Sequence, residues 1–164
     1  EGQAAMELEA LARHWVAGSV DDSRDPSEVI GEGPVQAHLP RIALPVNALP
    51  GECAVVDPVP VLAELGARAA AGEDAGLLAA AFHASIGEAT VDLAAAACGE
   101  HGVSRVALGG GVFQNSLLQA IVGQGLVSRG LEVLRPERLG PNDGAISYGQ
   151  AVIAAARLAD EQGR

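Results

Sequence analysis

The chain has 164 residues, 49% of them hydrophobic and only 2% aromatic, so one domain with a core of Ala, Val, Leu and Ile is expected. Its formal net charge is -11 and its ten basic residues form no run, which argues against nucleic acid as a partner. Two cysteines, Cys53 and Cys98, fit neither a metal motif nor a disulfide framework, so a reduced, cytoplasmic setting is expected.

The chain opens on Glu1-Gly2-Gln3-Ala4-Ala5 without an initiating Met and enters a helical pattern at once, which reads as a chain cut from something longer. Ala4, Leu8, Leu11 and Trp15 fall on one face of an amphipathic helix over about residues 3 to 17, with Gly18 as its stop. Ser19 to Pro34 is rich in Asp, Ser, Pro and Gly and reads as a surface loop, whose Asp21, Asp22, Asp25 and Glu28 are read as solvated. Val35–Leu39 and Arg41–Val46 are candidate short strands broken by Pro40 and Pro45, and Ala54-Val55-Val56 is another.

Asp57-Pro58 predicts a helix start, with the helix reaching about Ala71. Asp74 predicts the start of a long helix that runs to Gly102, with Leu78, Phe82, Ile86, Ala89, Leu93 and Ala97 at helical spacing. His83, Glu88 and Asp92 interrupt its apolar stretch, so no membrane span is expected. Ser104–Leu108 then reads as a buried strand, Ser116–Arg129 as a helix stopped by Gly130, Leu131–Leu134 as a strand and Asp143–Leu158 as a final helix. In that last helix Gly149, Ala151, Ala154 and Ala155 are small enough for close approach to a sheet. The second half is thus strand-helix-strand-helix, an α/β pattern.

Two turns carry candidate chemistry. The apolar run Val106-Ala107-Leu108 leads into Gly109, Gly110 and Gly111 and then toward a helix. Such a turn presents backbone N–H groups and a helix dipole to an anion, and glycine admits close approach. It suits a phosphate or the ribose-adenine part of a nucleotide, or is simply a tight turn. It is neither a Walker motif nor a Rossmann fingerprint. Asn115 offers an amide to a ligand or caps the following helix. Pro141-Asn142-Asp143-Gly144 opens the last helix with a carboxylate, either an N-cap or a ligand-orienting group. One carboxylate alone holds a metal poorly. His83 reads as a core histidine with a hydrogen-bond partner, and Trp15 as a core side chain.

Taken together, Gly110-Gly111-Val112-Phe113-Gln114-Asn115, Pro141-Asn142-Asp143-Gly144 and Gly149-Gln150-Ala151 resemble the C-terminal end of HypF-type carbamoyltransferases. Glu1 to Glu9 and Ala81-Phe82-His83 match the same family, so the resemblance spans nearly the whole chain and only part of a HypF protein. It implies an α/β, actin/Hsp70-like ATPase fold, present as the C-terminal part of the transfer domain. It also implies upstream acylphosphatase-like, zinc-finger and carbamoyl-adenylate-forming domains that lie outside this chain.

The function implied is maturation of [NiFe]-hydrogenase. Carbamoyl-adenylate, made from carbamoyl phosphate and ATP, would pass its carbamoyl group to the C-terminal cysteine of a HypE-type acceptor. By the same resemblance Gly109, Gly110 and Gly111 approach the nucleotide, Asn115 meets its adenosine or ribose, and Glu7 reaches the ribose. Asp143 ligates a divalent metal (Mg or Fe). The paired metal-binding histidines of the family belong to the preceding half of the domain, and none of His14, His38, His83 or His101 forms such a pair. The family usually has Ser in place of Gly109 and Gly in place of Ala145. Alternatives are a carbamoyltransferase of the same fold acting on tRNA or a small-molecule hydroxyl, or an inactive nucleotide-binding or interaction fragment. The 164 residues alone are expected to lack transfer activity.

Overall fold

The computed structural model describes residues 2–18, 39–47 and 54–162. The expected acidic loop from Ser19 to Pro34, all of the strand proposed over Val35–Leu39 except Leu39, His38 and Cys53 lie outside these residues, and Leu39 itself is in no strand. Helix α1 is Gln3–Gly18, and the short strands β1 (Val46–Asn47) and β2 (Val55–Val56) pair antiparallel. Helices α2 (Val59–Ala70) and α3 (Ala75–His101) follow. Strand β3 (Arg105–Ala107), a 3-10 turn (Gly111–Gln114), helix α4 (Ser116–Ser128) and strand β4 (Glu132–Leu134) come next. A 3-10 turn (Asp143–Ala145) then leads into helix α5 (Ile146–Gln162). β3 and β4 are parallel, in register Val106 opposite Val133, with α4 as the connection that parallel pairing requires.

Helix starts follow the chemistry of their first residues. The Asp57 carboxylate accepts from Val59 N at 3.0 Å, and the Asp74 carboxylate accepts from Leu77 N at 2.8 Å, so each satisfies an N–H that the helix leaves unpaired. Gly102 ends α3 in the left-handed region, at φ +64°.

α3 is the centre of the fold and contributes to three apolar clusters. Ala79, Ala80 and Ala84 pack with Ala12 and Val16 of α1, Leu39, and Leu117 and Ile121 of α4. Val91 packs with Leu108 and with Leu118, Val122 and Leu126 of α4, over Val106 and Val133 of the parallel strands. Ala81 packs with Ile42 and Val61, beside Phe82. By length and composition α3 is apolar enough to cross a membrane, and 56% of its most apolar window is buried inside the fold, the position of a core helix.

The inward face of α1 differs from the expected one. Leu8, Ala12, Trp15 and Val16 face the core, whereas Ala4 is exposed and Leu11 is 45% exposed. The cause is close approach: a Cβ on Gly76 of α3 would lie 2.8 Å from Trp15 Cβ and 3.2 Å from the Leu11 carbonyl oxygen. Where two helices come this near, small side chains mark the contact and the bulkiest stripe does not.

The other departures have similar reasons. Of Arg41–Val46 only Val46 joins a strand. The preceding residues run beside α3, with Ile42 N donating to Ser85 Oγ at 2.8 Å. β3 is shorter than expected and not buried, since its outer residues Arg105 and Ala107 are exposed and only Val106 packs inward. The last helix begins after a 3-10 turn, and it does not pack its small residues on a sheet: Ala151, Ala154 and Ala155 are exposed, as are Val152, Ile153 and Leu158.

Candidate functional site

The end of β3 and the loop before α5 meet. Leu108 N donates to the Leu134 carbonyl at 2.9 Å, which extends the β3–β4 alignment into the glycines. Gly110 N then donates to the Pro141 carbonyl at 2.6 Å. This main-chain bond ties the triple-glycine turn to Pro141-Asn142-Asp143-Gly144, so two segments thirty residues apart in sequence form one surface.

The glycines of this turn are not explained by crowding. Gly110 needs its missing side chain for conformation, with φ at +96°. Gly109 and Gly111 are outside the left-handed region, and a Cβ built on either meets no atom within 4 Å. Among the described residues, therefore, neither conformation nor packing calls for their smallness. All three are exposed, and the turn leads through Gly111–Gln114 to the N-terminus of α4, whose Ser116 and Leu118 N–H groups donate to the side chains of Glu9 and Asn115.

Asn115 sits at the N-cap of α4. Its Oδ1 accepts from Leu118 N at 2.8 Å, and its Nδ2 donates to His83 Nε2 at 2.8 Å. His83 is 3% exposed, with Nδ1 2.8 Å from the Ala79 carbonyl and the Phe82 ring edge-on at 5.9 Å. The histidine is thus buried and hydrogen-bonded at both nitrogens, as expected for a core residue.

Asp143 opens the 3-10 turn ahead of α5 and is exposed. The N-cap position belongs to Asn142, without a side-chain bond, and the Asp143 carboxylate has no hydrogen bond or ion pair among the described residues. The capping alternative therefore does not account for it. Among the described residues no group of three or more His, Cys, Asp or Glu could hold a metal, so Asp143 is at most one ligand.

Glu7 stands apart from these elements. It is exposed on α1 and accepts from Gln3 Nε2 at 2.8 Å. Two residues on, and so about 200° round the helix, Glu9 faces α4. Its Oε1 accepts from both Ser116 N and Ser116 Oγ at 2.8 Å, while Arg13 Nη1 donates to Ser116 Oγ at 3.1 Å. Sequence reasoning missed Glu9. The signal was its place three residues before Ala12 on the small-residue face, a signal hidden while the larger Leu11 was taken to point inward.

The whole arrangement has relatives. Residues 1–150 match the family described as carbamoyltransferase, Kae1-like domain, second subdomain. The carbamoyltransferase HypF homolog of Cupriavidus necator is 36% identical over 157 residues, covering 94% of this chain and 35% of that protein. Carbamoyltransferase HypF2 of the same organism is 35% identical over 169 residues, covering 96% of this chain and 19% of that one. A crystal structure of full-length HypF in its phosphate- and nucleotide-bound form is similar with a TM-score of 0.73 and 31% identity, over 96% of this chain and 18% of that chain. The chain spans about a third of the first relative's length and about a fifth of the other two. The α/β fold is accordingly the actin/Hsp70-like one of Kae1-like domains, in its C-terminal part. The chain belongs to the HypF-type carbamoyltransferases, as the second subdomain of their Kae1-like domain.

Proposed function

We propose that this chain supplies one wall of a carbamoyl-adenylate site used in [NiFe]-hydrogenase maturation. The observation that carries the reading is the Gly110–Pro141 main-chain bond, which joins the glycine turn to the segment of Asp143, whose carboxylate has no partner among the described residues. The nucleotide bound in the solved HypF relative supports the same ligand class.

In this reading Gly109, Gly110 and Gly111 let the adenylate lie against the backbone, where N–H dipoles offset its negative charge. Asn115 offers its second amide hydrogen to the adenosine or ribose. Glu7 is kept as a ribose contact, although it lies on the outer side of α1. Asp143 is one ligand of a divalent metal whose other donors come from outside the described residues, and no step is routed through that metal.

Carbamoyl-adenylate, made from carbamoyl phosphate and ATP, meets the C-terminal cysteine of a HypE-type acceptor. The cysteine thiolate attacks the carbamoyl carbon and a C–S bond forms. The C–O bond to the phosphate breaks, and AMP leaves with that electron pair. The chain's part is to orient the mixed anhydride and exclude water from it. A cytoplasmic setting and a protein acceptor belong to the same proposal.

The test is Asp143→Ala in the intact protein, with AMP release from carbamoyl phosphate and ATP measured beside the melting temperature. We expect turnover to fall while the melting temperature holds, because the carboxylate makes no bond among the described residues. A lower melting temperature with unchanged turnover rejects the assignment.

A further inference from the structure

The hydrogen bonds around Asn115 form a chain with one allowed direction. At one end Leu118 N–H can only donate, and at the other the Ala79 carbonyl can only accept. The Asn115 Oδ1 must therefore face Leu118, which turns its NH2 toward His83 Nε2. His83 Nε2 is then the acceptor and Nδ1–H the donor to Ala79. The hydrogen bonds select a single tautomer, because a hydrogen on Nε2 would oppose the Asn115 NH2.

We propose that His83 is a positioning residue for the nucleotide. It takes one hydrogen of the Asn115 NH2 and, with the Leu118 cap bond, holds the amide in one orientation, which leaves the second hydrogen for the nucleotide. The inference rests on the reading that Asn115 faces the nucleotide, and it gives a role to a buried histidine that the transfer chemistry leaves unused. A hydrophobic residue of similar size would fill the same space beside Phe82 but leave the amide held by the Leu118 cap bond alone. Charged neighbours lie one step away, where Glu9 and Arg13 engage Ser116, and none bonds to the imidazole among the described residues.

The experiment measures the ATP dissociation constant of the intact protein. Glutamine can place an acceptor where Nε2 stands, whereas asparagine is too short to reach Asn115. We expect His83→Gln to bind within about twofold of the parent, and His83→Asn and His83→Phe about tenfold more weakly, the size of one lost polar contact. Added to Asn115→Ala, His83→Phe should cost nothing further, since it acts through the same group. If His83→Phe fails to fold, the Gln and Asn pair carries the comparison.

Selective 15N-histidine NMR should show His83 protonated on Nδ1 and bare on Nε2. Additive losses, equal binding by His83→Gln and His83→Asn, or the opposite tautomer would each overturn the inference. If Asn115→Ala weakens binding and the His83 variants do not, the inference alone falls. If Asn115→Ala binds ATP as the parent does, the nucleotide reading of Asn115 falls and takes the inference with it.

Discussion

Glycine serves opposite ends in two regions of this molecule. In α3 it marks contact with protein: a Cβ on Gly87 would lie 2.4 Å from Ile121 Cγ2 of α4, and one on Gly76 would press on Trp15. In the turn after β3 it marks the lack of contact, since Gly109 and Gly111 have no atom within 4 Å of that position and no special φ. The first kind lets alanine-rich helices pack without large side chains. The second has no packing or conformational reason among the described residues, which is why the proposed function assigns it to a ligand. A glycine is informative about function only after its packing and conformational reasons have been tested and found absent.

The helices show the same contrast. α4 buries Leu117, Ile121, Val122 and Leu126, while α5 leaves Val152, Ile153 and Leu158 exposed. Leu117→Ala should therefore cost about 2–5 kcal/mol in chemical denaturation, whereas Ile153→Ala should stay within about 0.5 kcal/mol. Equal losses would mean that α5 packs as firmly as α4.

Gly87→Ala should destabilise by about 1–3 kcal/mol, because fully buried Ile121 has nowhere to move. Gly66, in α2 with open space around it, gives the control: Gly66→Ala should stabilise by about 0.4–1 kcal/mol. Gly111→Ala sharpens the comparison further. It should leave the melting temperature nearly unchanged and weaken ATP binding in the intact protein. A large loss of stability there would show that the glycine serves the fold after all.

The smallest effect concerns the turn between α2 and α3. Hydrogen bonding from Arg68, opposed in part by desolvation, holds the Glu73 carboxyl below its ordinary range. A depressed folded-state value stabilises at neutral pH, and that contribution is lost as pH falls through the folded value. Denaturation of Glu73→Gln against the parent should show a small deficit at pH 7 that closes on acidification. A deficit that persists at acid pH would assign the effect to packing rather than charge.

The short-range features of this protein were legible in its residues. Asp57, Asp74 and Gly102 sit at the helix ends they predict, because caps and left-handed stops depend on neighbours within one turn.

Which way α1 faces was decided by the tertiary structure, since Gly76 admits Trp15 only where two helices cross. So was the choice of Glu9 over Glu7 as the residue that meets Ser116. So was the release of Asp143 from capping, and so was the bond from Gly110 to Pro141, two residues before it. Local preference acts along the chain, whereas closest approach between distant segments is set by the shape of everything packed between them.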